Sequence, residues 1–221
     1  LIAVSVCYTG NNTTSMTFPG FFPLLACGES GGVRGSTNES IVSTNYFQLF
    51  DLPQAFEVDS AVLQPRYHEL QREFHPDRFA AEPADVQRVA VQKAADINTG
   101  FATLKEPVAR ARHLLALAGH AVNIESATVV DTDFLMAQME LREQLEEADE
   151  IDQLTALRAE AEEWLGNLGR EFAIDYREAD WSEAGDTVRK MQFMRRFIEE
   201  VSAQEARLDD AEFDAGLGEE D

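Results

Sequence analysis

Cysteine is nearly absent from this 221-residue chain. Cys7 and Cys27 lie twenty positions apart with no CxxC pair, and they do not make a metal site. Basic residues are scarce as well, 18 Lys/Arg against 41 Asp/Glu for a formal net charge of -23. That balance argues against nucleic acid as a partner, because phosphate binding needs a basic surface. No apolar run approaches the length that spans a bilayer. The four histidines, at 68, 75, 113 and 120, form no HExxH and no His/Cys cluster, so neither metal nor cofactor is expected. No glycine-rich phosphate loop occurs, and no Ser or Cys sits in a nucleophile elbow. The carboxylates follow helical faces and read as solvated surface. These absences leave a soluble, cytoplasmic, mostly helical interaction protein that is not an enzyme.

The first 44 residues stand apart. They are rich in Gly, Ser, Thr and Asn, have little helical period and hold both cysteines. No basic residue precedes their apolar stretch, which disfavours a signal peptide. The expectation is a disordered or misassigned leader, with Met16 or a later codon as the true start. At the other end, residues 209–221 carry seven acidic residues and no basic one, and read as a solvated, disordered tail. Between these ends the charge is uneven. Residues 45–113 hold 8 Lys/Arg against 10 Asp/Glu, whereas residues 114–208 hold 9 against 22. The two halves are expected to meet different partners.

What the chain does have is the tripeptide His75-Pro76-Asp77 between two helical patterns. Pro76 cannot extend the preceding helix and pushes His75 out of the α region, so the imidazole and carboxylate are presented on a stiff turn. Upstream, Asn45 caps a brief helix over Tyr46–Phe50, closed by Asp51-Leu52-Pro53. Asp59 caps a second helix with an apolar stripe of Val62, Leu63, Tyr67, Leu70 and Phe74. Residues 84–104 repeat the period with Val86, Val89, Ala90, Ala94, Ile97, Phe101 and Leu104. Two such helices joined by a turn make an antiparallel pair with the short helix packed across it. Pro65 is out of place in this scheme. It lies six residues past the Asp59 cap, so the second helix either starts later or bends there. Alone, the triplet could equally be a helix-stop turn flanked by solvated arginines.

A second feature lies at residues 132–149. Phe134, Ala137, Leu141, Leu145 and Ala148 form one stripe, which must face the core. Leu135, Met136, Met139, Glu140 and Glu143 fall on the other side. Large apolar groups there mark either a partner surface or a helix buried on both sides. Leu154, Leu157, Ala161, Trp164, Leu165 and Leu168 predict another helix, and Val188 through Val201 a further one, with Met191, Met194 and Ile198 on its stripe. Together they predict an antiparallel three-helix bundle, with residues 101–117 docking the first half onto it. The fold class is therefore all-α.

Residues 45–53, 67–79, 97–98, 114–115, 133–143 and 186–193 resemble, in order and at matching spacing, the HscB family. These are J-domain co-chaperones of iron–sulfur cluster assembly. The resemblance covers about residues 45–207, of which ordinary J proteins share only the first block. It implies a J domain at 45–118 and an HscB-type bundle at 119–208. It further implies that His75, Pro76 and Asp77, with Arg66, Arg72 and Arg78 nearby, dock on HscA, a DnaK-type chaperone, and stimulate its ATP hydrolysis. The surface of Leu135, Met136, Met139, Glu140, Glu143 and Phe193 would hold the scaffold protein IscU. Met139 stands where leucine is common in the family, a volume-conserving change. A J protein with another client, or a helical binding protein without chaperone activity, remain the alternatives.

Overall fold

Short capping motifs set the start of most elements in the first half. The computed structural model describes residues 44–121 and 131–217, with side chains through residue 209. The side chain of Asn45 accepts from the Gln48 amide and opens α1 (Tyr46–Leu49). Asp59 accepts from the Ala61 amide and opens α2 (Ser60–Glu73). After a 3-10 turn at Pro76–Phe79 come α3 (Ala84–Lys105) and α4 (Pro107–Leu117). The later helices are α5 (Thr132–Glu147), α6 (Ile151–Glu178) and α7 (Trp181–Leu217). Every regular element among the described residues is helical, as the apolar periods require. The leader, with Cys7, Cys27 and Met16, lies outside the described residues up to position 43.

α2 and α3 form the hairpin, and α1 lies across α3 at Gly100. A Cβ at that glycine would stand 2.8 Å from the Tyr46 ring and 2.9 Å from the Phe50 ring, so only glycine permits this approach. Leu63, Leu70, Ala90, Ile97 and Leu104 fill the hairpin core. Tyr67 stacks on Phe101 with centroids 4.0 Å apart, and its hydroxyl donates to Asn98 Oδ1 at 3.1 Å. Gln71 Nε2 donates to that hydroxyl at 2.6 Å. Phe101 thus belongs inside the hairpin, and docking falls to α4 instead of to all of residues 101–117. Val62 and Val89, expected on the apolar stripes, are more than half exposed. Each stands 100° around its helix from a buried neighbour, Leu63 or Ala90, and the narrow seam of a two-helix pair does not reach that far.

Pro65 stands inside α2, which begins at Ser60 as the Asp59 cap requires. A later start is therefore ruled out. Proline cannot donate to the Ala61 carbonyl, but Ala61 and Pro65 are both exposed, so water can satisfy that oxygen.

α6 and α7 pair antiparallel along most of their length, with α5 laid against α6. Leu154, Leu157, Ala161, Leu168 and Phe172 from α6 meet Val188, Met191, Met194, Phe197 and Val201 from α7 in the core. The turn between them is two residues long, and Ala179 adopts a left-handed φ of 59° to make it. The apolar stripe of α6 runs almost to its end, through Phe172 and half-buried Tyr176, whereas α7 outruns its own. α7 continues to Leu217, so the segment read as a disordered tail from residue 209 starts in helical backbone. Ala, Glu, Arg and Leu around residues 203–212 are good helix formers, and propensity carries a helix past its packed part.

α4 joins the halves. It buries Val108, Ala111, Leu114 and Leu115, packing on α3 on one side and on α6 and α7 on the other. Glu106 caps it through the Val108 and Ala109 amides and also pairs with Arg195 of α7 at 2.6 Å. The segment after α1 forms a second link. Phe56 packs on Phe172 of α6 with centroids 5.1 Å apart, and the Arg110 guanidinium lies 4.8 Å above the Phe56 ring. Burial works against the Arg110 charge, whereas Glu106 favours it.

Candidate interaction surfaces

The His75-Pro76-Asp77 turn sits at the tip of the hairpin. Pro76 takes the first position of the 3-10 turn, where its missing N–H costs nothing. His75 is extended at φ -62° and ψ 130°, outside the α region as the following proline demands. Its Nδ1 accepts from the Asp77 amide at 3.3 Å, which leaves Nε2 as the ring's donor. The Asp77 carboxylate lies 3.6 Å from the same nitrogen, and 90% of that side chain is exposed. The Arg78 amide donates to the His75 carbonyl at 3.0 Å and closes the turn. Gln87 of α3 donates to the Ala80 and Glu82 carbonyls, fixing the return chain. The turn is held by backbone and neighbours, so the side chains of His75 and Asp77 need no contact in the core.

Arg66, Arg72 and Arg78 come together along an open groove on α2, lined also by Ala61, Val62, Pro65, Glu69 and Glu73. They are not equivalent. Arg66 is paired with Glu69 at 2.6 Å, so its charge is already partly met. Arg72 donates to the His68 carbonyl and Arg78 to the Arg72 carbonyl, and neither joins an ion pair among the described residues. Backbone bonds hold their guanidinium groups in place while leaving the charge for an approaching carboxylate.

On the other half, α5 buries only Phe134 and Leu141 fully. Fully burying such side chains stabilises by roughly 1.5–3 kcal/mol each. Phe134 inserts edge-on between Trp164 of α6 and Phe193 of α7, each 5.8 Å away by centroid. The outer face carries Leu135, Met136 and Met139, which are 38%, 66% and 72% exposed, beside exposed Glu140 and Glu143. A helix buried on both sides is thereby ruled out for α5. Phe193 is half-buried and reaches this face through Phe134 and through Arg142, whose guanidinium lies 5.8 Å over its ring. Sequence reasoning passed over Arg142. Its signal was available: a cation on an acidic helix, three residues past Met139 and seven past Leu135.

Two polar links fasten α5 to α7. Asp131 caps α5 through the Asp133 and Phe134 amides and pairs with Lys190 at 2.7 Å. The hydrogen bond to Lys190 holds the Asp131 carboxyl below the usual carboxylate range and raises the Lys190 ammonium in turn. At the far end, Gln204 Nε2 donates to the Leu145 and Ala148 carbonyls at 3.3 and 3.2 Å. Neither link was apparent from the sequence, because each joins residues more than fifty positions apart.

Known proteins resemble this chain over most of its length. Residues 130–202 match the family model described as the HSCB C-terminal oligomerisation domain. A co-chaperone protein HscB homolog of Acinetobacter baumannii (strain SDF) is 41% identical over 168 residues, covering 76% of this chain and 94% of the relative. Among solved structures, the chaperone HscB from Vibrio cholerae superposes with a TM-score of 0.67 at 38% identity, covering 74% of this chain and 99% of that one. Human co-chaperone protein HscB gives a TM-score of 0.69 at 25% identity, covering 80% and 94%.

Proposed function

Since the chain belongs to the HscB family of co-chaperones, we propose that it serves iron–sulfur cluster assembly by binding the scaffold protein IscU and delivering it to the DnaK-type chaperone HscA. The observation that carries this reading is the exposed apolar face of α5, set beside two carboxylates on a half of the molecule separate from the His75-Pro76-Asp77 turn. Monomeric soluble proteins rarely leave such a face uncovered unless it meets a partner.

In this reading the chain performs no chemistry of its own. Asp77, exposed on a turn stiffened by Pro76, accepts charge-assisted hydrogen bonds from an arginine of HscA. His75 holds the Asp77 amide and offers Nε2–H to the same partner. Arg72 and Arg78 steer the acidic surface of the chaperone onto the turn, with Arg66 adding less because Glu69 already meets it. ATP hydrolysis belongs to HscA, whose conformational equilibrium this contact shifts. On the other half, Leu135, Met136 and Met139 bury apolar surface against IscU, Glu140 and Glu143 set its register, and Phe193 backs the face. Holding client and chaperone on one short body raises their effective concentration for each other.

The test is steady-state ATP hydrolysis by HscA with this chain added, with and without IscU, alongside His75→Gln. Stimulation that needs His75 and grows further with IscU is expected. Stimulation indifferent to IscU would remove the scaffold assignment. None at all, from a folded chain, would remove the chaperone assignment as well.

A further inference from the structure

We propose that Lys190 and Gln204 are positioning residues for the partner face of α5: from α7 they hold its two ends and so fix the direction in which Leu135, Met136 and Met139 point. This rests on the reading of that face given above.

The geometry is that of a rod pinned twice. Lys190 meets Asp131 at the start of α5, and Gln204 meets the Leu145 and Ala148 carbonyls at its end. The two pins are fourteen residues apart on one helix, about 21 Å at the α-helical rise. A single pin would let α5 pivot about it, whereas two at that separation set its axis parallel to α7. Rotation about that axis is fixed by Phe134, wedged between Trp164 and Phe193, and by buried Leu141. Phe134 and Leu141 are the only side chains α5 buries fully, and its last turn rests on half-buried Leu145 and Ala148, so the polar pins reinforce a thin apolar contact at both ends. The chemistry of the pins suits the task. Asp131 faces both the α5 amides and the ammonium, so one carboxylate ends the helix and ties it down. Gln204 supplies donors to carbonyls that have no partner within their own helix. Neither Lys190 nor Gln204 lies among the exposed apolar groups a partner would touch.

The test uses the full chain and purified IscU, with calorimetric affinity and hydrogen exchange of the α5 amides as readouts. Lys190→Met combined with Gln204→Leu is expected to weaken IscU binding about tenfold or more. The same variant should accelerate exchange at residues 135–147 while α6 and the packed part of α7 keep their protection. Lys190→Arg, which preserves the ion pair, should restore the wild-type affinity in an otherwise unchanged chain relative to Lys190→Met. Wild-type affinity in the double variant would overturn the proposal, as would equal loss of protection in all three helices, which marks a global stability role. The combined Leu135→Ala and Met139→Ala change separates the two readings. If it leaves IscU binding intact, the assignment of the face itself is wrong. If it abolishes binding while the Lys190 and Gln204 changes do nothing, only the positioning role is lost.

Discussion

His113 illustrates how one residue can be spent on folding although its chemistry invites another role. It is buried at the junction of α4 and α1, where its Nε2 accepts from the Tyr46 amide at 3.3 Å. Its ring lies 4.7 Å from Tyr46 and 5.9 Å from Phe47 by centroid. Burial lowers its pKa, and acceptance from an N–H requires the neutral ring. The sign follows directly. Below about pH 6.5 the unfolded chain takes up a proton that the folded chain refuses, so stability is full above that pH and falls as pH drops towards the folded value. Comparing wild type with His113→Gln by urea unfolding between pH 7.5 and 5 should show the wild-type advantage shrinking with acidification. A constant difference would mean that the ring titrates alike in both states.

Among the elements, α2 carries an evident local cost. Pro65 removes a hydrogen bond within the helix, and an interior proline is unfavourable by up to about 3 kcal/mol relative to alanine. Pro65→Ala should therefore stabilise the chain by about 1–3 kcal/mol, read from the denaturant midpoint at constant m value. An unchanged midpoint would show that solvation of the Ala61 carbonyl already removes the cost. The helices themselves were largely legible in the sequence. Asn45 and Asp59 announced α1 and α2, Pro76 announced the turn, and the Phe134 and Leu141 spacing separated the inner from the outer face of α5. Boundaries were less so: α6 keeps its apolar period through Phe172 and Tyr176, beyond the stripe read for it, and α7 continues on propensity where its period has ended. Val62 and Val89 misled for a related reason: periodicity names a face, but only the neighbouring helix decides how wide a strip of it is covered.

At the scale of the molecule, the halves are joined by contacts that no local pattern announces. Glu106 with Arg195, and Phe56 against Phe172 and Arg110, connect residues roughly 50 to 115 positions apart. The wild-type chain should unfold in a single calorimetric transition. Phe56→Ala combined with Arg195→Met should cost about 2–4 kcal/mol and split that transition in two, the first half melting earlier. A single transition retained in the variant would place the coupling in α4 alone.

α4 has a consequence for modularity. Its buried side chains serve the hairpin on one side and the long helix pair on the other, so it belongs to two cores at once. A hairpin borrowed from an unrelated J protein and spliced ahead of residue 107 would meet a helix shaped for different neighbours. The Gly100 approach and the Phe56 contact would be missing as well. The two halves can diversify only in step, and a working chimera must carry α4 and everything that touches it as a single inherited block.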